Sequence, residues 1–573
     1  MIVFIFITIV LEEYTLIFKY FLGFQILFPV AFFWLTPIRY AFVNALFLFV
    51  AVLFGIIGLF DIVLEYSHIT FMWSENNSLQ ESIDPSLNFA LTPLSFFFSL
   101  LVMMIGCATN LYIIRYFSDE ASEKKFIFTL NWFVISMVLL VCANNFYTIF
   151  LGWELIGLTS FFLINYWSVR RGTLKSSFKA FSFNLVSDIL LLSAFVLFYK
   201  VSSTTNLTSF FSYVATNSLD DNSQLYYGLI CLILSAGFKS VQMFGHLWLP
   251  DSMEAPVPAS ALIHSATLVS AGIYLLCKFH GLISLFNLVD ALATVGAFTA
   301  AYGGVVAASQ TDVKKLLAYS TMSHSGFLWF LAAVGQGYPI LIYLYLHGLF
   351  KAMTFFCAGA FIRVFGTQDS RWMGEAHIQS RLDSFLLILC SSNLAGLPFT
   401  VGFTNKYFFI NMFFANSVNL LSFGLLFIGL LSSLIYFIRI VYFVVFDYNK
   451  SIKETAQQLL VTSEHKYFFY YRSAPYNQVL AVFFLYVCAL IISAYFVHCA
   501  TCIFMWEPFI TPLDSDYIKY VNFFEECEYY LLFLYECYTI GMICSFVMCW
   551  KKRVYLIEGL SIIILFFFST LFF

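Results

Sequence analysis

The sequence predicts an all-α polytopic membrane protein with about 15–16 transmembrane helices, because apolar runs near the roughly 20 residues that span a bilayer core recur from end to end. Composition is the first observation behind this. Of 573 residues, 61% are hydrophobic and only 10% charged, and mean hydropathy is +0.87. A water-soluble globular chain is excluded. The second observation is that the apolar runs are continuous, whereas a membrane barrel would show alternating segments of about ten residues. The third is the placement of positive charge. Lys124 and Lys125, then Arg170, Arg171, Lys175 and Lys179, then Lys314 and Lys315, then Arg363, Arg371 and Arg381 fall on one side if the spans alternate. The opposite stretch 201–225 has no Lys or Arg. That asymmetry is the positive-inside pattern.

Two N-terminal spans precede a polar loop at 74–88. Further spans are expected near 89–112, 126–143, 146–167, 180–199, 226–249, 257–276 and 291–309. Later ones fall near 317–334, 340–364, 384–401, 407–426, 427–446 and 479–499. In the tail, 516–550 alternates Glu525, Glu526, Glu528 and Glu536 with aromatic clusters and is closed by Lys551, Lys552 and Arg553. So many acids make a poor spanning helix, but they suit an amphipathic helix lying along a surface and bracing neighbours. A last apolar run, 554–573, follows as a terminal span.

A net charge of −4 carries little weight with so few charges, and no basic arm for nucleic acid is visible. The start, Met1-Ile2-Val3-Phe4 with Glu12 and Glu13, fits neither an Arg-rich transit peptide nor a cleavable signal. The 73 Phe and 35 Tyr suit the codon bias of an AT-rich organelle genome. Of 13 Cys, Cys499 and Cys502 after His498 form the one Cys-x-x-Cys. Without a second pair they read as small apolar residues one turn apart, not as a zinc or redox site. No nucleotide loop, haem motif or cluster ligation is recognisable, so the chain is expected to carry no redox centre or metal.

Ionisable residues inside apolar runs are the candidates for chemistry. Lys239 lies within Ile233-Leu234-Ser235-Ala236-Gly237-Phe238-Lys239-Ser240-Val241-Gln242-Met243-Phe244-Gly245. A lysine at membrane depth costs about 2.5–3.5 kcal/mol on insertion scales, so it is paired, hydrated or both. Glu154, mid-span in Gly152-Trp153-Glu154-Leu155, has no local cation, which makes Lys239 its natural partner. Unit charges about 4 Å apart at an effective dielectric near 20 attract by about 4 kcal/mol, enough to load and release a proton. Asp188, read as early in its span, is either a second partner or an interfacial carboxylate. His264 follows Lys239 within 26 positions, beyond the break Leu249-Pro250-Asp251-Ser252-Met253-Glu254-Ala255-Pro256-Val257-Pro258. It reads as a relay able to work near neutral pH. His347 and Lys351 are four apart and so share a helical face. A second Gly/Pro-broken run, from Ala395 through Gly396, Pro398 and Gly402 to Lys406, mirrors the first. Matching broken segments in two halves of a transporter point to inverted repeats with sites at the breaks.

Together, the run Leu249 to His264, Gly152-Trp153-Glu154, the run Asp312-Val313-Lys314-Lys315 to His324-Ser325-Gly326, His347/Lys351 and Gly402-Phe403-Thr404-Asn405-Lys406 resemble the chain 5 family. These are the largest antiporter-like membrane subunits of respiratory complex I, NADH:ubiquinone oxidoreductase. The resemblance covers about residues 85–410, and 516–573 resembles the family's lateral helix and terminal span by pattern. It implies a division into N-terminal helices (1–115), two inverted five-helix antiporter-like repeats (116–280 and 281–446) and a C-terminal part with the lateral helix (447–573). It implies a proton route through Glu154, Lys239, His264, Lys351 and Lys406. NADH, FMN, iron–sulfur clusters and ubiquinone would then sit in other subunits. The implied partners are the other membrane-arm subunits and lipid, in a mitochondrial inner membrane or, alternatively, a bacterial plasma membrane. The chain departs from the family pattern at Leu185 (usually Arg), Tyr343 (often His) and Tyr407 (commonly an acid). A cation/proton antiporter subunit without redox coupling is the competing function. A plain membrane scaffold would not need a lysine at each break.

Overall fold

The computed structural model describes residues 37–62, 69–72, 88–117, 122–216, 223–265, 267–335, 337–374, 376, 380–397, 400–403, 420–447 and 476–500. Lys406, Tyr407, the stretch 516–573 and the side chains of Cys499 and Cys502 lie outside these residues.

Helix dominates the described chain, as the composition requires. The helices are α1 (Pro37–Ile62), α2 (Pro93–Tyr116), α3 (Glu123–Cys142), α4 (Phe146–Ile164), α5 (Arg171–Ser202), α6 (Leu207–Thr216), α7 (Ser223–Lys239) and α8 (Val257–Ser265). After them come α9 (Leu268–Lys278), α10 (His280–Leu285), α11 (Val289–Ser309), α12 (Val313–Val334), α13 (Gly337–Phe365), α14 (Arg381–Ala395), α15 (Leu420–Val441) and α16 (Tyr476–Ala500). One short antiparallel pair, β1 (Ile69–Met72) with β2 (Asn88–Leu91), sets Ile69 opposite Leu91. Among the described residues, eight helical stretches are long and apolar enough to cross a membrane.

The helix starts follow from sequence. Thr92 caps α2 by accepting from Ser95 N at 3.2 Å while Ser95 Oγ accepts from Thr92 N at 2.7 Å, and Pro93 fills the first turn. Asn145 caps α4 reciprocally with Thr148. At this charge-poor end the connections are tied by neutral amides. Asn88 donates to Asn206 at 3.0 Å, and Asn144 N donates to Asn88 O. The stretch 201–225, outside the expected spans, contains the helix α6. The opposite end carries the charges: Lys179 pairs with Asp251 at 2.6 Å and Arg371 with Asp369 at 2.6 Å.

Helix packing relies on small residues, since lipid supplies no hydrophobic drive between helices. Residues Gly296, Ala300 and Gly304 recur every four positions along α11. A Cβ on Gly296 would lie 2.8 Å from Phe330 N, and one on Gly326 of α12 would meet the backbone of Gly296 and Ala300. The two backbones therefore touch, and Ser323 Oγ donates across the contact to Ala300 O at 2.9 Å. Elsewhere, buried amides hold helices together: Asn131 Oδ1 accepts from Asn44 at 2.6 Å and from Asn110 at 3.1 Å.

One span boundary differs from expectation. The apolar stretches 407–426 and 427–446 were expected to be separate spans, but α15 runs unbroken across 426 and 427 before a π turn, Tyr442–Phe446. The expected boundary falls inside the wholly apolar run Leu425-Leu426-Phe427-Ile428, which gives a helix no reason to end there. The expected span 257–276 holds as one apolar stretch, Val257–Lys278, whose helix is described in two parts, Val257–Ser265 and Leu268–Lys278. Thr267 begins α9 in a non-helical conformation (φ −115°, ψ −87°), and its hydroxyl satisfies Leu262 O at 2.8 Å.

Candidate functional site

Helix α7 stops at Lys239 because the next residues leave helical geometry. Val241 (φ 61°) and Phe244 (φ 73°) are left-handed, and two 3-10 turns, His246–Trp248 and Asp251–Glu254, carry the chain onward. Left-handed geometry at a β-branched valine is unfavourable and persists only where surroundings enforce it. Here they do. Trp248 Nε1 donates to Phe238 O at 3.2 Å, and Gln242 Nε2 donates to Ser240 O at 3.2 Å and to Ser325 O at 3.4 Å. Thr299 completes the network by donating to Gln242 Oε1 at 2.7 Å. Carbonyls freed by the break are thus met by side chains, as a water-poor interior demands.

Lys239 is fully buried. Its Nζ donates to Trp153 O at 2.5 Å, lies 4.1 Å from the centre of the Trp153 ring, and pairs with Asp188 Oδ1 at 3.5 Å. Trp153 is fixed in turn by its indole N–H on Ser187 Oγ at 3.2 Å, and Ser187 donates to Ser235 O at 3.0 Å. Three helices, α4, α5 and α7, therefore converge on one ammonium.

The expected Glu154–Lys239 contact is not the one formed. Glu154 sits on an exposed face of α4 and acts on Lys239 only from farther away. Asp188 takes the contact. It was read as early in its span because the apolar run starts at Ala180, but α5 starts at Arg171, which puts Asp188 near the middle of a 32-residue helix.

His264, in the last turn of α8, is fully buried, with Nε2 3.1 Å from Ser252 Oγ in the second 3-10 turn. Its ring stacks between Trp248 and Phe355, at centroid distances of 6.5 and 5.9 Å. Phe355 lies one turn beyond Lys351 on α13, which places His264 beside the second lysine.

Lys351 is also fully buried, and its Nζ donates to Ser320 Oγ at 2.5 Å. One turn earlier, the ring of His347 lies 4.9 Å from that of His324. Helices α12 and α13 run antiparallel, so Ser320 faces Lys351 and, four residues along each helix, His324 faces His347. Both ring nitrogens of His347 lack a hydrogen-bond partner among the described residues. His324 is held by hydroxyls, with Nδ1 2.6 Å from Tyr343 OH and Nε2 3.1 Å from Tyr436 OH. A small cavity, with room for about one water, is lined by His324, Tyr343, His347, Asn393 and Gly402.

The last two residues belong to the second break. Helix α14 ends at Gly396 in left-handed geometry (φ 65°), and Asn393 Oδ1 accepts from Gly402 N at 3.2 Å. Lys406, expected just beyond, lies outside the described residues. Of the residues expected from sequence, Lys239, His264, His347 and Lys351 are buried inside the bundle, Asp188 is half-buried against Lys239, and Glu154 lies on an exposed face of α4. Sequence reading assigned no role to His324, Gln242 or Thr299. His324 carried a usable signal, a histidine one turn from Ser320 in an apolar helix; Gln242 and Thr299 carried none.

Helices broken at two points, with a buried file of lysines and histidines between the breaks, define an antiporter-type membrane protein. The chain matches the family described as NADH:quinone oxidoreductase/Mrp antiporter, TM, over residues 143–436, and it belongs to that family. It is 40% identical over 427 residues to NADH-ubiquinone oxidoreductase chain 5 of Paramecium tetraurelia, covering 72% of this chain and 74% of the relative. The chain 5 of Geomys personatus is 35% identical over 63% of this chain and 60% of its own length. Two solved structures share the fold. One is the Mrp complex from a Dietzia species (TM-score 0.69, 24% identity, 87% of this chain and 51% of that one). The other is the membrane-bound sulfane sulfur reductase, an archaeal respiratory membrane complex (TM-score 0.70, 19% identity, 83% and 76%).

Proposed function

We propose that this chain is a proton-translocating membrane-arm subunit of respiratory complex I in the mitochondrial inner membrane, of the chain 5 kind. One observation carries the reading: the bundle holds two fully buried lysines, one paired with a carboxylate at a helix break and the other bonded to a buried serine one turn from a histidine pair. The kinship with chain 5 relatives supports the redox-linked setting. Its partners are the other membrane-arm subunits, and NADH, FMN, iron–sulfur clusters and ubiquinone belong to those and the remaining subunits.

Lys239 holds a proton while Asp188 compensates its charge and Trp153 O accepts from it. Weakening that pair releases the proton toward Gln242, Thr299 and Ser325. His264 bridges to Lys351 from the side, and Lys351 can share a proton with Ser320 and then the His347/His324 rung. Lys406, at the second break, is the natural far end. Making or breaking a pair of unit charges at such a site is worth about 4 kcal/mol, enough for a switch. We also infer that 116–280 and 281–446 are inverted repeats. In support, α7 enters its break from the charge-poor side and α14 enters its own from the side bearing Arg363, Arg371 and Arg381.

The assembled complex with Lys239→Met, reconstituted in vesicles, tests the reading. NADH-driven acidification should be lost while the complex stays intact on native gels. Undiminished acidification would refute it. Cation-driven proton exchange surviving without NADH would favour the uncoupled antiporter instead.

A further inference from the structure

We propose that His324 is a proton-loading residue, holding the transferred proton between its arrival at His347 and its departure past the second helix break. The inference deepens the reading above and rests on it. Three observations meet here. The rings of His324 and His347 are 4.9 Å apart, and both residues are 3% exposed. His347 has no hydrogen-bond partner at either nitrogen among the described residues, yet it lines a cavity with His324 and Tyr343. That same cavity touches Asn393 and Gly402 of the second break.

The chemistry of the Tyr343–His324–Tyr436 bridge fits storage. With the neutral ring's proton on Nε2, Nε2–H donates to Tyr436 O across 3.1 Å while Nδ1 accepts from the Tyr343 hydroxyl across 2.6 Å. A proton leaving His347 crosses the cavity and binds Tyr343 O as that residue's own proton moves to His324 Nδ1. One N–H bond breaks on His347 and one forms on His324, with no change of oxidation state. The imidazolium then donates both N–H groups to tyrosine oxygens, so its charged form is fully hydrogen-bonded despite burial. Unloading reverses the step through Tyr343 O into the cavity, now toward the Asn393/Gly402 side. Tyr343 is the gate for the proton, and Tyr436 is a positioning residue that holds the ring.

The test compares proton pumping with NADH oxidation in the reconstituted complex. His324→Gln keeps groups able to bond both hydroxyls but cannot carry a proton. Its pumping rate should fall roughly a hundredfold or more, as for loss of a proton-transfer group, with native-gel assembly unchanged. Tyr343→Phe should fall comparably, and its solvent deuterium isotope effect on pumping should change; Tyr436→Phe should fall less. Normal pumping by His324→Gln beside a dead Lys239→Met overturns this inference while leaving the proposed function standing. Normal pumping by both overturns the function itself. Should His324→Gln not assemble, Tyr343→Phe, which keeps the ring volume, decides alone, and normal pumping there also overturns the inference.

Discussion

Asp188 of α5 reaches Lys239 of α7 at 3.5 Å, whereas Glu154, beside the tryptophan whose carbonyl accepts from the same ammonium, faces outward. The lysine's charge is therefore met by the carboxylate that the sequence made the lesser candidate.

A contrast between two conservative variants follows. Asp188→Asn leaves a fully buried ammonium without its carboxylate, and breaking a buried pair costs about 3–5 kcal/mol. The lower end applies, because the Asp188 side chain is 19% exposed. Glu154→Gln, on an open face, should leave stability nearly unchanged. Thermal denaturation of the purified complex, followed by loss of the intact assembly, checks the ranking. Equal losses would put Glu154 back as partner.

Gln242→Leu should destabilise the first break without touching Lys239. It leaves Ser240 O without the amide that donates to it, and a buried unsatisfied group costs about 1–3 kcal/mol, while the Thr299 hydroxyl keeps Gly296 O as its acceptor. Slower pumping with an unchanged apparent affinity for NADH is the expected kinetic signature. Hydrogen exchange of the 240–250 backbone should rise in the same variant.

Gly326→Val should be worse than either for assembly. Its side chain would enter the backbone of α11 at Ala300, where no flexible neighbour can yield. Overpacking typically costs about 1–3 kcal/mol, and backbone contact puts this case at or above the upper figure. Yield of intact complex on native gels measures it, with Gly281→Ala, which meets open space, as the neutral control.

Ser320→Ala removes the hydroxyl that accepts from Lys351 at 2.5 Å. Pumping should drop by about tenfold, since a hydrogen bond to a charged group is worth about 1.5–3 kcal/mol. Ser320→Thr, which keeps the hydroxyl, should restore most of it. A drop in Ser320→Thr equal to that in Ser320→Ala would mean that packing, not the hydroxyl, matters there.

The sequence made the helical architecture and both breaks readable, because long apolar runs and the glycines at 237, 245, 396 and 402 are local signals. The partner of Lys239 was not readable. Lys239 and Asp188 are 51 positions apart, and four basic residues before Ala180 hid the true start of α5. The place of α15 was misjudged for a different reason: the expected boundary at 426/427 lies in a wholly apolar run, whereas the helix starts just after the polar Asn416-Ser417-Val418-Asn419. His324 was in plain view within a motif, but only the antiparallel pairing of two helices shows that it faces His347.

That pairing sets a rule about length rather than chemistry. The rungs Ser320–Lys351 and His324–His347 stay in step only while both helices keep the same residue count between them. One residue added between Ser320 and His324 would turn everything beyond it by about 100°, one part in 3.6 of a turn. It would unseat a whole rung, where a point substitution alters a single side chain. Extra residues at the Gly335 bend would leave both rungs facing. Insertions and deletions should therefore be tolerated at the hairpin's tip and excluded from its shaft, even where the shaft accepts new side chains.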